Sequence, residues 1–315
     1  MAETASDFNM PTKKLWIFIA GLLAIFCLCL AGISLASDKD KNHDRDDLAS
    51  RRLVLAQISD SHLGLKRAPD AAENLRKVVD MVNQRHPDGV IVTGDIGERP
   101  EAWEEAKEIL SHLNAKAYYI PGNHDVTAHS LEPWRKFWGP DYEKVQIQWV
   151  TIFGLDSQLL GNYNNFESRT VLPLTADGQA ESRKMLDWFA KNIDDYKRDQ
   201  NKSPGNVAFV MQHVPISRAD GGAFPADPKP YWTTQEPYRS RELELLHRLG
   251  VKHVFAGHWH KGMVYQADGL TYHLAPATSW SAFDKHLGFA MHTISRNGDV
   301  KTEFVYIPGA DPHWP

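Results

Sequence analysis

The chain has 315 residues, of which 42% are hydrophobic and 24% are charged, a composition that is ordinary for a globular protein. Its formal net charge of −5 and its pI near 6.3 argue against a general nucleic-acid-binding protein, because such proteins usually carry a basic face. They do not exclude a phosphorylated small molecule as a ligand, since local cations can bind its charge.

The first notable segment is an apolar run of 22 residues without a charge, Leu15–Ala36. About 20 such residues are needed to cross a membrane as a helix, so we expect a transmembrane helix or signal anchor after a short tail, residues 1–14. Small residues at Ser34–Ala36 suit a signal peptidase, but the run exceeds the usual ~7–15 residue core of a cleaved signal. Lys13 and Lys14 favour a cytoplasmic N-terminus. The sequence therefore predicts a single-pass membrane protein whose domain after the anchor is extracytoplasmic.

A polar, charge-dense stretch, residues 37–50, follows and is typical of a solvated linker. Both cysteines, Cys27 and Cys29, lie in the apolar run. The remainder of the chain therefore has no disulfide and no cysteine-based zinc site. We expect it to form one folded domain, residues 51–315.

The first half of this domain alternates strands and helices. Apolar runs predict strands at "LVLAQIS", "GVIVTG" and "AKAYYIPG", and helical periodicity predicts helices over Ala71–Arg85 and Glu101–Leu113. This order implies right-handed crossovers and largely parallel strands. In such sheets, ligands bind beyond the carboxyl ends of the strands.

The second half repeats the pattern less regularly. We expect strands at "WVTIFGLDS", "VAFVMQH" and "VKHVFAGHWH", and helices over Gly178–Asp195 and Ser240–Leu249. Three further strands follow, "GLTYHLAPA", "GFAMHTIS" and "VKTEFVYI", with a hairpin turn at Arg296–Asp299. The predicted fold class is α/β, with two facing mixed β-sheets flanked by helices as an αββα sandwich.

Polar side chains follow five of the predicted strands. They are Asp60 and His62 in "SDSHLG", Asp95 in "GDIGE", Asn123, His124 and Asp125 in "GNHDV", His213 in "VMQHVP", and His258 and His260 in "AGHWHKG". If the "GHWH" segment is extended, His258 and His260 point to the same side. The five endings together predict one site at an edge of the sheet.

Carboxylate and imidazole groups favour divalent first-row metals such as manganese, iron or zinc. Seven candidate ligands are too many for one four-coordinate ion and suit two ions that share a bridging carboxylate. Two metals ~3.5–4 Å apart hydrolyse phosphate esters by generating hydroxide and holding the oxygens of an in-line displacement. The cofactors predicted are therefore two divalent metal ions.

In that order, "DSH", "GD", "GNHD", "QH" and "GHWH" resemble the motifs of the calcineurin-like metallophosphoesterase superfamily. The resemblance implies that Asp60, His62, Asp95 and His260 hold one metal. It implies that Asp95, Asn123, His213 and His258 hold the other, with Asp95 as the bridge. It further implies that His124 donates a proton to the leaving group and that Asp125 orients His124.

Less specific segments, among them "FWGPDYEKV" and "RKMLDWFAKNI", resemble the branch of calcineurin-like phosphoesterase-domain-containing phosphatases, with the cyclic-nucleotide phosphodiesterases as neighbours. The expected function is hydrolysis of a phosphate monoester or diester, of a small molecule. The alternative is a membrane-tethered, catalytically inactive scaffold of the same fold. Measuring the metal content of the purified protein distinguishes the hydrolase from the scaffold.

Residues outside these motifs are candidates for roles around the site. Arg99, Arg169 and Arg218 are candidate contacts for a substrate phosphate, and the long loop Ser217–Tyr238 is the candidate for shaping the pocket. His253 and His273, within predicted strands, are expected to be interior or sheet-face histidines rather than ligands; His112 and His247 are expected at the surface.

Overall fold

Two mixed β-sheets form the centre of the structure. The computed structural model describes residues 51–98, 100–126, 131–202, 205–219 and 224–312. The strands are β1 Arg52–Ile58, β2 Gly89–Thr93, β3 Ala117–Ile120, β4 Glu143–Ile147, β5 Val150–Gly154, β6 Asn162–Asn165, β7 Thr170–Leu172, β8 Val207–Met211, β9 His253–Ala256, β10 Met263–Ala267, β11 Leu270–Leu274, β12 Gly288–Ser295 and β13 Val300–Tyr306. The helices are α1 Ala71–Asn83, α2 Pro100–Leu110, α3 Glu132–Phe137, α4 Ala176–Lys202 and α5 Tyr238–Leu249, with 3₁₀ turns at Ser157–Leu159 and Pro230–Trp232.

The first sheet has the strand order β13-β12-β1-β2-β3, and the second has the order β10-β11-β9-β8-β5-β4. In the first sheet β1, β2 and β3 are parallel, and β12 and β13 are antiparallel. In the second sheet β5, β8, β9 and β11 are parallel, between the antiparallel strands β4 and β10. Strands β6 and β7 form a separate hairpin. The parallel strands supply the carboxyl ends at which a site is expected.

The inner faces of the two sheets share one hydrophobic core. Leu55 of β1 and Ile91 of β2 belong to the same buried cluster as Ile152 of β5 and Phe209 of β8. Gln57, also on β1, donates from Nε2 to the carbonyl oxygen of Ala256 on β9, at 2.9 Å. Because side chains alternate along a strand, every second residue faces outward. These outer residues must be buried by elements other than the facing sheet.

Helices cover these outward-facing residues of both sheets. In α1, Leu75, Val78, Val79 and Val82 are buried, the i, i+3, i+4, i+7 spacing of one helical face. They join a cluster with the outward residues of β1 and β2. Helices α4 and α5 cover the second sheet in the same way. The chain therefore has a mixed α/β fold with helices on both sides of two sheets, as the sequence predicted.

Several elements escaped the sequence-based prediction. Helix α3, strands β4 and β10, and the β6–β7 hairpin were not expected, and α4 extends seven residues beyond the predicted end at Asp195. Strands β4 and β10 lie at sheet edges and have exposed residues on one face. Their sequences therefore lack the continuous apolar runs that mark the central strands.

The predicted transmembrane segment, Leu15–Ala36, and the linker, residues 37–50, lie outside the described residues. Among the helices that are described, none combines the length and the apolar character needed to cross a bilayer. The tail, anchor, linker and domain boundaries stay predictions.

Candidate metal centre

The five predicted strand ends meet at one edge of the sandwich, and both sheets contribute to it. The loops after β1 and β2 are joined by a hydrogen bond from Asp60 N to Gly94 O, at 3.0 Å, and those after β8 and β9 by one from Gly257 N to His213 O, at 3.0 Å. The sequence argument had assumed a single sheet. The side chains brought together there, all buried, are Asp60, His62, Asp95, Asn123, His213, His258 and His260.

The backbone at this edge is strained. Five of the seven residues have positive φ angles: Asp60 54°, His62 43°, Asp95 53°, His258 68° and His260 49°. Non-glycine residues adopt this left-handed region at a cost of roughly 1–3 kcal/mol each, and such strain concentrates at functional sites. The extended geometry expected for the "GHWH" segment is therefore wrong, because β9 ends at Ala256 and the chain turns at both histidines.

Asp60, His62, Asp95 and His260 form the first ligand group. Each offers one nitrogen or carboxylate oxygen, and these atoms lie within 4.8 Å of one another. His260 Nε2 is 3.2 Å from Asp60 Oδ1, and His62 Nε2 is 3.5 Å from Asp95 Oδ2. Ligands at about 2.0–2.2 Å from a single ion lie roughly 3–4 Å from each other, so the group has the dimensions of a metal site.

Asp95, His213 and His258 form the second ligand group, again within 4.8 Å. His213 Nε2 is 3.1 Å from Asp95 Oδ2, and Asp95 belongs to both groups. Two buried polar atoms, Asn123 Oδ1 and His213 Nε2, have no partner with hydrogen-bond geometry among the described residues, although His213 Nε2 contacts the Asp95 carboxylate. An unpartnered buried acceptor is costly; a cation would compensate both atoms.

Hydrogen bonds fix the orientation of every histidine in the two groups. His62 Nδ1 is 2.7 Å from Glu98 Oε1, His213 Nδ1 is 2.7 Å from Thr93 O, and His260 Nδ1 is 2.8 Å from Trp280 O. In each case the opposite nitrogen, Nε2, faces the cluster. Histidine ligands of metals are typically held by such contacts to the second ring nitrogen.

His258 is turned the other way. Its Nε2 is 3.0 Å from the carbonyl oxygen of Tyr231, which leaves Nδ1 as the ligand atom. The hydroxyl of the same tyrosine accepts a hydrogen bond from Nδ2 of Asn123 at 3.1 Å, so the amide oxygen Oδ1 remains free. Tyr231, from the long loop between β8 and α5, was not singled out from the sequence.

Burial and neighbouring charges together shift the pKa values of the groups in the cluster. Burial opposes ionisation of Asp60, but His260 and His213 outweigh it and lower the pKa of that carboxyl to about 2. Burial disfavours the cationic form of His213, but Asp95 and Asp60 raise its pKa to about 9. Burial lowers the pKa of His258 to about 3, assisted by the charge of His213. The carboxylates thus retain negative charge, and protons on histidine occupy the place that a metal cation would take.

His124 lies beside the first ligand group. Its ring packs edge-on to that of His62 at 4.6 Å, and its Nδ1 is 3.0 Å from Oε2 of Glu98. Burial disfavours its cationic form, but Asp95 and Glu98 outweigh it and raise the pKa of His124. A histidine whose charged form is favoured is suited to donate a proton.

The structure assigns Asp125 a different neighbourhood from the one expected. Its carboxylate accepts hydrogen bonds from the backbone N–H groups of Ile96, Gly97 and Gly122, at 2.9 to 3.1 Å. The carboxylate that contacts His124 is that of Glu98. Asp125 is positioned to hold the two loops together because backbone donors from both converge on it, whereas Glu98 bridges His124 and His62. Glu98 stands in the quoted "GDIGE" motif, but no role was assigned to it.

A cavity of about 660 Å³ opens above the cluster. Asp95, His258 and His260 line its floor, and aromatic side chains form much of its wall. One of these, Phe166 in the turn of the β6–β7 hairpin, is 42% exposed and stacks on His124 with 4.2 Å between ring centroids. Solvent reaches the ligand groups through this cavity, so a substrate could also reach them.

The arginines proposed to contact a substrate phosphate differ in their position and in their partners. Arg169 lines the cavity but forms an ion pair with Asp227 at 2.9 Å. Arg218 donates to the carbonyl oxygens of Pro225 and Lys229 within its own loop. Arg99 lies outside the described residues. Arg67, which was not considered from the sequence, lines the cavity.

His253 and His273 lie away from the cluster. His253 Nδ1 is 2.9 Å from His273 Nε2, and His273 Nδ1 is 2.7 Å from Thr302 Oγ1. Burial lowers the pKa of His273 to about 3, with the charge of His253 adding to the effect. His273 is buried and His253 is half-buried on its strand, so neither is a ligand of the cluster, as expected, and His112 is exposed.

Comparison with known proteins agrees with this geometry. Residues 53–262, which include all seven ligand candidates, match the family model for calcineurin-like phosphoesterases. The chain is 22% identical to the serine/threonine-protein phosphatase CPPED1 of Danio rerio over 292 residues, which is 84% of this chain and 88% of the relative. It is 23% identical to a probable cyclic nucleotide phosphodiesterase of Fibrobacter succinogenes over 248 residues, covering 74% and 83%.

Solved structures show the same fold at low identity. A dimetal phosphatase from Danio rerio superposes with a TM-score of 0.55 at 14% identity, covering 79% of this chain and 98% of that one. Purple acid phosphatase PPD1 from yellow lupin gives 0.57 at 11% identity, covering 82% and 52%. GAP50, described as the anchor in the inner membrane complex of Plasmodium, gives 0.56 at 13% identity, covering 82% and 86%.

Proposed function

The chain belongs to the calcineurin-like phosphoesterase family and is a phosphoric ester hydrolase, and we propose that it hydrolyses a phosphate monoester or diester with two divalent metal ions. The observation that carries the proposal is the sharing of Asp95 by two ligand groups. The orphaned atoms Asn123 Oδ1 and His213 Nε2 support the second ion. The donor set of nitrogen and oxygen without sulfur suits manganese, iron or zinc.

When bound, such a pair of ions supplies positive charge for the phosphoryl oxygens and hydroxide as a nucleophile at neutral pH. The chain's own residues supply the rest. Asp60, His62 and His260 would hold one ion, and Asn123, His213 and His258 the other, with Asp95 between them. The hydrogen bonds to their second ring nitrogens keep these ligands aligned before substrate arrives.

His124 would hold the proton that the leaving oxygen needs. Glu98 accepts from its Nδ1, so Nε2 is the nitrogen available for transfer. The raised pKa of His124 favours the protonated form that a proton donor needs before bond cleavage. Glu98 is a positioning residue, because it also holds His62 and so fixes the donor relative to the first ligand group.

One experiment tests both the proposed hydrolysis and the alternative of an inactive scaffold. The purified protein is stripped of metal with a chelator, reloaded with Mn²⁺, and assayed with para-nitrophenyl phosphate and its bis-ester. We expect turnover that disappears on chelation and returns with Mn²⁺. Protein that binds no metal after reconstitution and hydrolyses neither ester would support the scaffold.

The membrane anchor is a separate proposal that rests on the uncharged run Leu15–Ala36. We expect the full-length chain to stay in the membrane fraction during alkaline carbonate extraction. Release into the soluble fraction would contradict an uncleaved anchor.

A further inference from the structure

The wall of the cavity above the metal centre is unusually aromatic. Phe166, Tyr231, Trp232, Trp280 and Phe283 all line it. Their rings contact one another or the ligands: Trp232 lies 5.3 Å from Phe283, and Trp280 lies 4.3 Å from the ring of His260. The wall therefore begins at the metal ligands and continues outward as an apolar surface, rather than being a separate patch.

Neutral polar side chains are scarce in this wall, and of its carboxylates Glu98 already accepts hydrogen bonds from His62 and His124. Among the described residues that line the cavity, none is Asn, Gln, Ser or Thr, and the one hydroxyl is that of Tyr231. Sugar hydroxyls and the edges of nucleobases need such donors and acceptors to replace the water they lose. A flat apolar group needs only ring faces, which stack at ring-centroid distances of about 4.5–7 Å.

The cavity lining contains one arginine, Arg67, and one carboxylate, Glu167, that form no ion pair with a described residue. The guanidinium of Arg67 lies 3.7 Å over the ring of Trp280, and no described carboxylate forms an ion pair with it. Arg169, the other arginine of the lining, is paired with Asp227. Arg67 is exposed, and a planar guanidinium resting on an indole keeps its outer edge free for a carboxylate or phosphate.

From this arrangement we infer the substrate class: a phosphate ester of a planar aromatic alcohol that carries a second anionic group. The scissile phosphate lies over the two ligand groups, the aromatic group packs between Phe166 and the tryptophans, and Arg67 binds the second anion. The inference rests on the proposed function, because the ligand groups orient the phosphate.

The test uses non-hydrolysable phosphonates and measures binding to the Mn²⁺-loaded protein by calorimetry. The three ligands are phenylphosphonate, 4-carboxyphenylphosphonate and 2,3-dihydroxypropylphosphonate, which represent the aromatic group alone, the aromatic group with a second anion, and a polar alkyl group. We expect phenylphosphonate to bind about tenfold more tightly than the dihydroxypropyl compound, and the carboxylated compound to bind more tightly again by about fivefold to tenfold.

Two variants show which residues cause these differences in binding affinity. Phe166→Ala should weaken both aryl compounds and leave the dihydroxypropyl compound unchanged. Arg67→Ala should remove the advantage of 4-carboxyphenylphosphonate over phenylphosphonate, whereas Lys66→Ala, an exposed neighbour, should preserve it. This pattern supports the inference.

Equal binding of the phenyl and dihydroxypropyl compounds would overturn the aromatic assignment. Equal weakening of both aryl compounds by Arg67→Ala would show that Arg67 contacts the scissile phosphate, and would overturn the second anion. If para-nitrophenyl phosphate is hydrolysed in either case, the proposed function stands. If none of the phosphonates binds and no ester is hydrolysed, both proposals fail.

Discussion

The phenolic oxygen of Tyr231 lies 3.1 Å from Nδ2 of Asn123, and the carbonyl oxygen of the same tyrosine lies 3.0 Å from Nε2 of His258. One buried loop residue therefore orients two groups proposed to bind the second metal. The backbone contact persists in any side-chain variant, so the hydroxyl can be tested alone.

Replacing Tyr231 by Phe should weaken binding of the second metal ion by about tenfold to a hundredfold, the usual cost of losing a contact that orients a ligand. The first ion should be unaffected, since no hydrogen bond of Tyr231 reaches the other ligand group. Calorimetric titration of the metal-free protein with Mn²⁺ measures both steps. Tyr163→Phe is the control, because its hydroxyl donates to Thr233 O and to no proposed ligand. Equal effects of the two variants would refute the role of Tyr231.

Asp95→Asn should lower kcat by about a thousandfold or more, because both ions depend on this carboxylate and each contributes several kcal/mol of transition-state stabilisation. Asp156→Asn is a matched control. Burial, with the neighbouring charge of Asp141, raises the pKa of Asp156, which favours the neutral carboxyl that an amide resembles. Near-normal turnover in Asp95→Asn would refute the two-metal site.

Glu98→Gln should shift the pH profile of kcat and lower its maximum. Glu98 raises the pKa of His124 through a hydrogen bond and its charge, so removing that charge lowers the pKa. Activity requires the protonated form of His124 and is lost as pH rises through that pKa; the basic limb should therefore move to lower pH. An unshifted basic limb, with only a reduced rate, would mean that Glu98 has a structural role alone.

Glu242 gives a prediction about stability away from the site. It is fully buried on α5, and burial raises its pKa from 4.5 to about 8, although the nearby polar side chains of Thr234 and Gln212 oppose this shift. The folded state then binds this proton more tightly than the unfolded state, so the contribution of Glu242 to stability is greatest below pH 4.5 and falls as pH rises towards 8.

Glu242→Gln removes this titration. Relative to the unaltered protein it should raise Tm at pH 8.5, with a gain in unfolding free energy on the order of a few kcal/mol, and change it little at pH 4.5. Thermal melts at the two pH values measure the difference. Glu244→Gln, on the same helix with an exposed side chain, should show no such dependence. A gain that is equal at both pH values would contradict a titrating Glu242.

The proposed ligands were predictable because each one follows a strand that has a parallel neighbour in its sheet. Parallel strands in α/β sheets point their carboxyl ends to a common edge, so Asp60 could be grouped with Asp95 in the first sheet, and His213 with the residues after β9 in the second, without coordinates. The backbone path was not predictable. His258 and His260 were expected to be extended, yet both turn to positive φ and reach different ligand groups.

Contacts through space set the limit of the sequence argument. Tyr231 reaches Asn123 across 108 positions of the chain, and no spacing pattern marks such a pair. The resemblance of the motifs implied that Asp125 orients His124, whereas the carboxylate in contact is that of Glu98. Arg67 and Phe166 lie in loops whose course depends on packing, so their place at the cavity had no signal in periodicity.

The most direct test of the account is anomalous diffraction from crystals of the protein soaked with Mn²⁺. We predict two anomalous peaks ~3.5–4 Å apart, one among Asp60, His62 and His260, the other among Asn123, His213 and His258, with the Asp95 carboxylate between them. A single peak, or none within reach of Asp95, would contradict it.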